Sequence, residues 1–118
     1  MSHYSVAIVI LTNSATDNAA VYRALGTAKE FQEAGDDVTI VFDGSGAESL
    51  AALSHSSHAL NGMLESLRDQ VAGVCGFCAT AHKVAAEITE AGFPMLTDNH
   101  GHASIRNLVV EGRTILTF

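Results

Sequence analysis

Three times along this chain a helical pattern runs into a glycine and a short apolar run follows at once: "FQEAGDDVTIVFD", "ITEAGFPMLTD" and "VVEGRTILTF". At Gly35, Gly92 and Gly112 a left-handed C-cap carries no side-chain penalty, so each glycine ends a helix and releases the chain into a strand. A chain that keeps repeating helix, tight turn and buried strand has few folds open to it. The pattern is that of an α/β protein with a parallel sheet and helices on its faces. Strands are expected at Val6–Leu11, Val38–Phe42, Val71–Cys75, Met95–Thr97 and Thr114–Phe118. The first, "VAIVIL", is continuously apolar, as a strand buried on both faces should be.

Helical spacing predicts a helix over Asn18–Ala34, with Val21, Ala24, Leu25, Ala28 and Phe31 on one face. A second is predicted over Cys78–Ala91, with Ala81, Val84, Ala85 and Ile88 in its stripe. "HASIRNLVVEG" reads as a short helix with Ile105, Leu108 and Val109 inward, or as a strand entering a hairpin at Glu111-Gly112. Between Gly46 and Gln70 the polar "SHSSHALNG" predicts a break between two helical pieces. No linker or low-complexity tract interrupts the 118 residues, so one domain is expected over 1–118.

Composition narrows the function classes. A net charge of −7 with only six Lys and Arg leaves no basic stripe for a nucleic-acid backbone or an anionic membrane. The longest apolar run is far too short to span a bilayer. The start, "MSHYSVAIVI", lacks a basic region and a small-residue cleavage site, so a cytoplasmic location is expected. There, two nearby cysteines are more often reduced, catalytic or metal-bound than a structural disulfide.

Those cysteines, Cys75 and Cys78, lie in "GVCGFCATAHKV" at a strand-to-helix junction. In a parallel sheet such junctions share one edge, which gathers Thr12–Asp17, Asp43–Glu48, Cys75–Cys78 and Asp98–His102 on one rim. The amides and dipole of a helix beginning at Cys78 would lower its thiol pKa, whereas Cys75, ending a buried strand, would be raised. His82, four residues on, shares the side of the helix that carries Cys78. The plain alternative is that Cys78 belongs to a buried helical stripe. A thioredoxin-like dithiol is disfavoured by the late position of the motif and by Pro94, too close behind to form an opposed loop. A phosphatase-type loop is disfavoured because no arginine follows at loop distance.

A mixed Cys/His metal centre would draw on Cys75, Cys78, His100 and His102, or on His82. With no second tight cysteine pair, metal below stoichiometric amounts and no cofactor are expected. In the other rim loops, Ser14 or Thr16 is expected to cap the first helix, and Ser45 with Glu48 to form a capping box.

"VAGVCGFCATAHKVAAEI", following "VTIVFDGSGAESL" and preceding "EGRTILTF", resembles the DsrE-like sulfur-relay family, with the C-G-x-C form of its YchN-like branch. The likeness covers nearly the whole chain. It implies a three-layer α/β/α sandwich with a mostly parallel five-stranded sheet, assembled as a homo-oligomer, trimer or hexamer. It also implies a sulfurtransferase-like carrier passing persulfide sulfur between donor and acceptor proteins, with Cys78 in the position of the sulfur-carrying cysteine. Under that reading Cys75 either resolves the persulfide or packs in the strand, and His82 serves as a proton donor. Two rivals stand beside it: a non-catalytic metal- or anion-binding module, and an oligomeric scaffold with inert cysteines.

Overall fold

The computed structural model describes residues 3–118, which run β1 (Ser5–Ile10), α1 (Asn18–Glu33), β2 (Asp37–Phe42), α2 (Gly46–Leu53), α3 (Asn61–Ser66), a 3-10 turn (Arg68–Gln70), β3 (Val71–Cys75), α4 (Gly76–Ala81), α5 (Ala85–Glu90), β4 (Met95–Leu96), α6 (Ile105–Val110) and β5 (Thr114–Thr117). The strands form one sheet in the order β4-β3-β2-β1-β5, and every pairing is parallel. Gly35, Gly92 and Gly112 sit at positive φ, as expected of the three joins.

Topology decides how the faces are covered. The crossovers β1→β2→β3→β4 all step in one direction across the sheet, so right-handed connections place their helices on one face. That face holds Ile8, Ile10, Ile40, Phe42 and Val74 against α1 to α5, through Val21, Leu25, Leu50, Leu64, Ala79 and Ile88. The last crossover returns from β4 to β5 across the sheet and puts α6 on the opposite face. There the buried set is only Ala7, Val9, Val41, Cys75, Ala103 and Leu108. The result is a three-layer α/β/α arrangement with one thick and one thin helical layer.

Several local expectations are corrected. The predicted helix over Cys78–Ala91 is two short helices, α4 and α5, and α4 begins at Gly76 with Cys75 as its N-cap. The break is a Schellman turn: the Val84 N–H reaches the Ala79 carbonyl (2.9 Å), the Lys83 N–H reaches that of Thr80 (3.0 Å), and Lys83 takes φ 61°. Because this resets the helical phase, Ala81 is exposed and Ala79 is buried in its place. On α6 only Leu108 points fully inward, while Ile105 is borderline and Val109 and Val110 are 58% and 66% exposed. Among the described residues the thin layer has no second helix for them to pack on.

The capping expectations fail for a physical reason as well. Asp17, one residue before α1, accepts the Ala20 N–H (3.1 Å), a charged oxygen serving where Ser14 or Thr16 was expected. Ser45 is already in helical conformation and makes no side-chain cap, so Glu48 is free for another partner. At the next position, a Cβ on Gly46 would overlap the Ile10 carbonyl, so only glycine lets α2 start this close to β1.

Candidate functional site

The loop after β3 leads to the thick layer, and the loop after β4 leads to the thin one. Adjacent parallel strands whose following loops part to opposite faces open a crevice at their carboxyl ends. Both cysteines sit on the β3 side of this crevice and His102 on the β4 side. One sulfur or ring nitrogen from each of Cys75, Cys78 and His102 lies within 4.8 Å of the others. Cys75 Sγ is 3.7 Å from His102 Nδ1. Cys75 is wholly buried, whereas Cys78 and His102 are partly buried.

Local structure holds each member. Cys75 ends β3, paired with Leu96 of β4, and Cys78 is the third residue of α4, so the two-residue spacer turns both sulfurs to one side. Gly76 lets α4 lie against the β4 loop, since a Cβ there would stand 2.8 Å from Thr97 Cγ2. His102 closes a two-residue turn in which Asn99 and His102 exchange backbone hydrogen bonds of 2.9 and 2.8 Å. Its central residues, His100 (φ 50°) and Gly101 (φ 88°), take the left-handed conformations such tight turns need. The Phe77 N–H donates to the Gly101 carbonyl (2.9 Å), and the Phe77 ring stacks on His102 with centroids 4.3 Å apart. Phe77 therefore clamps the histidine-bearing turn to the helix that bears Cys78.

The electrostatics of Cys78 overturn the expected low thiol pKa. Burial first, and then the neighbouring Cys75 thiol, push it up to about 12, with the Asp43 carboxylate adding to the rise. The Gly44 backbone N–H alone pulls the other way. Asp43 Oδ1 accepts from the Cys78 thiol at 3.5 Å. Cys78 is partly enclosed, and the hydration it loses is the first cause of the rise.

No protein-family profile, curated protein or solved structure matches the chain. The site therefore rests on its own residues. Of the histidines singled out from sequence, His102 joins the cysteines. His100 occupies the exposed tip of the turn. His82 Nδ1 pairs with Glu48 Oε2 at 2.9 Å, bracing α4 against α2 from the thick layer. The carboxylate beside Cys78 is Asp43, whose role the sequence offered only through its place on the rim. The clamp by Phe77 left no sequence signal, because an aromatic inside C-G-x-C reads as ordinary helix surface.

Chemically, the arrangement brings two thiols, one imidazole and one carboxylate to a single crevice. A shallow apolar groove of about 360 Å³, lined by Gly76, Phe77, Thr80, Ala85, Met95, Thr97 and Gly101, runs alongside.

Proposed function

We propose that the protein is a small sulfur carrier, sulfurtransferase-like, that holds a persulfide on Cys78. The observation that carries this reading is the pairing of a partly accessible sulfur, Cys78, with a second, buried sulfur, Cys75, where two strand-end loops part. Transfer consists of Cys78 thiolate attack on the outer sulfur of a donor persulfide. A new S–S bond forms, the donor leaves as its thiolate, and an acceptor thiolate later takes the outer sulfur and returns Cys78. In this scheme the Cys78 proton passes to the departing donor thiolate and Asp43 holds the Cys78 thiol by its hydrogen bond, while His82, read from the sequence as a proton donor, pairs with Glu48. The raised pKa leaves little Cys78 thiolate at neutral pH, and the best attacking thiol has a pKa near the ambient pH, so the reading requires that donor docking lowers it.

The reading places the protein in the cytoplasm, among donor and acceptor proteins. Among the described residues, no helix is long and apolar enough to cross a membrane. It also takes the protein to be a homo-oligomer, trimer or hexamer, and the exposed Val109 and Val110 supply apolar area that self-association would cover. Light scattering at micromolar concentration tests the assembly, and a stable particle of 12.3 kDa would sink it.

The central experiment is mass spectrometry of chelator-treated protein after incubation with a low-molecular-weight persulfide. One added sulfur is expected on Cys78, absent in Cys78→Ser and retained in Cys75→Ser. Sulfur on Cys75 alone would overturn the choice of Cys78. No addition to either thiol would favour the inert scaffold.

A further inference from the structure

The expectation of metal below stoichiometric amounts rested on the lack of a second close cysteine pair, which left the remaining ligands to the loop histidines, and folding brings one of these, His102, 24 residues beyond Cys78, up to both cysteines. We propose that Cys75, Cys78 and His102 bind one thiophilic cation of the zinc class, through two thiolates and an imidazole. The site goes beyond sulfur carriage and does not depend on it.

The distances carry the proposal. Tetrahedral zinc with ordinary Zn–S and Zn–N bonds separates a sulfur from a nitrogen by about 3.6 Å and two sulfurs by about 3.8 Å. Cys75 Sγ and His102 Nδ1 already stand 3.7 Å apart, and no pair within the triad exceeds 4.8 Å. Closing the set asks the donor atoms to approach by about 1 Å at most.

The donors are also held in place before any ion arrives. Cys75 is anchored in the sheet, Cys78 in the first turn of α4, and His102 in a hydrogen-bonded turn fastened by Phe77. The stacking of the two rings, 28° apart, restrains the imidazole whose Nδ1 lies beside Cys75 Sγ. Two thiolates neutralise a divalent charge, and their protons leave to solvent when the ion binds. Sulfur and imidazole donors select zinc or copper(I) over magnesium or calcium, which want oxygen. Cys78 and His102 are only partly buried, so an ion can reach them from solvent. Asp43, beside Cys78, adds a negative charge near the site.

The test is zinc titration of the reduced, metal-free protein against a chromophoric chelator, with cobalt(II) as the spectroscopic probe. The expected result is one ion per chain, with cobalt giving thiolate charge-transfer absorption and intense tetrahedral bands. Cys75→Ser, Cys78→Ser and His102→Ala should each weaken binding by at least about ten-fold. His100→Ala and His82→Ala should bind as the parent does. His102→Ala changes a surface turn, and its circular dichroism should match the parent, which separates a lost ligand from a lost fold. Binding well below one ion per chain, unchanged affinity in a folded His102→Ala, or equal affinity for magnesium would each overturn the proposal. Persulfide formation on metal-free protein is measured separately. A persulfide without zinc binding sinks only the metal site, and zinc binding without a persulfide sinks only the sulfur-carrier reading.

Discussion

The two faces of the sheet differ in what covers them. The thick face presses five helices onto Ile8, Ile10, Ile40, Phe42 and Val74, and nearly all its large side chains are fully enclosed. The thin face has one six-residue helix, a buried set of six residues that includes Cys75, and two exposed valines on that helix. Stability is thus concentrated on one side. The chemistry-bearing residues gather where the thin side begins, because only the β4 loop turns that way. A crevice needs incomplete cover, and a single reversed crossover provides it.

Substitutions on the two faces test this division directly. Phe42→Ala, in the thick layer, should cost about 3–5 kcal/mol in denaturant unfolding, as removal of a fully enclosed aromatic does. A loss below about 1 kcal/mol would mean that the thick face is not the principal core. Leu108→Ala, in the thin layer, should cost about 2 kcal/mol, at the low end for a core leucine, since its surroundings are sparse and can relax. If the two substitutions cost the same, the asymmetry has no energetic meaning.

The Cys78 thiol sharpens the comparison at the boundary between the faces. Its alkylation should be slow at neutral pH and should still climb roughly ten-fold per pH unit between 9 and 11, where an ordinary thiol has levelled off. The cause is the rise from the ordinary 9.0 to about 12, due first to burial. The unfolded chain loses this proton near 9 and the folded chain near 12. The associated stability is therefore complete below pH 9 and declines as pH rises through that window. Cys75→Ala should bring the plateau to lower pH yet leave it above 9, because burial persists. Fast labelling of the parent protein at pH 7 would show that the crevice is more open than described.

The smallest effect is expected on the outer side of α6. Val110→Ala should leave thermal unfolding of the isolated chain within about 0.5 kcal/mol, as surface changes do. If α6 forms a subunit contact, the same change should shift light scattering toward smaller particles, and an unchanged particle size would remove α6 from the proposed interface.

Local patterns in the chain carried much of this protein. The glycine joins at Gly35, Gly92 and Gly112 and the apolar run in β1 are enough to dictate alternating helices and parallel strands, since each reports a backbone need or a burial that neighbouring residues express. The same patterns put Cys75 at a strand end and both cysteines on the rim. Local signals misled at three places. Lys83 ends α4 with no glycine to announce it, Glu48 leaves its expected cap for His82, and α6 exposes valines that a complete layer would cover. Only the tertiary structure decided which histidine meets the cysteines. Along the chain His82 is the histidine assigned to the cysteines in the carrier reading, with His100 and His102 offered only for the rival binding module, and the selection of His102 depends on the β3–β4 pairing, the direction of the last crossover and the Phe77 clamp. Those are relations between segments far apart in sequence. The raised thiol pKa of Cys78 is of the same kind, because desolvation is set by whatever packs around the sulfur, and that packing exists only once the chain has folded.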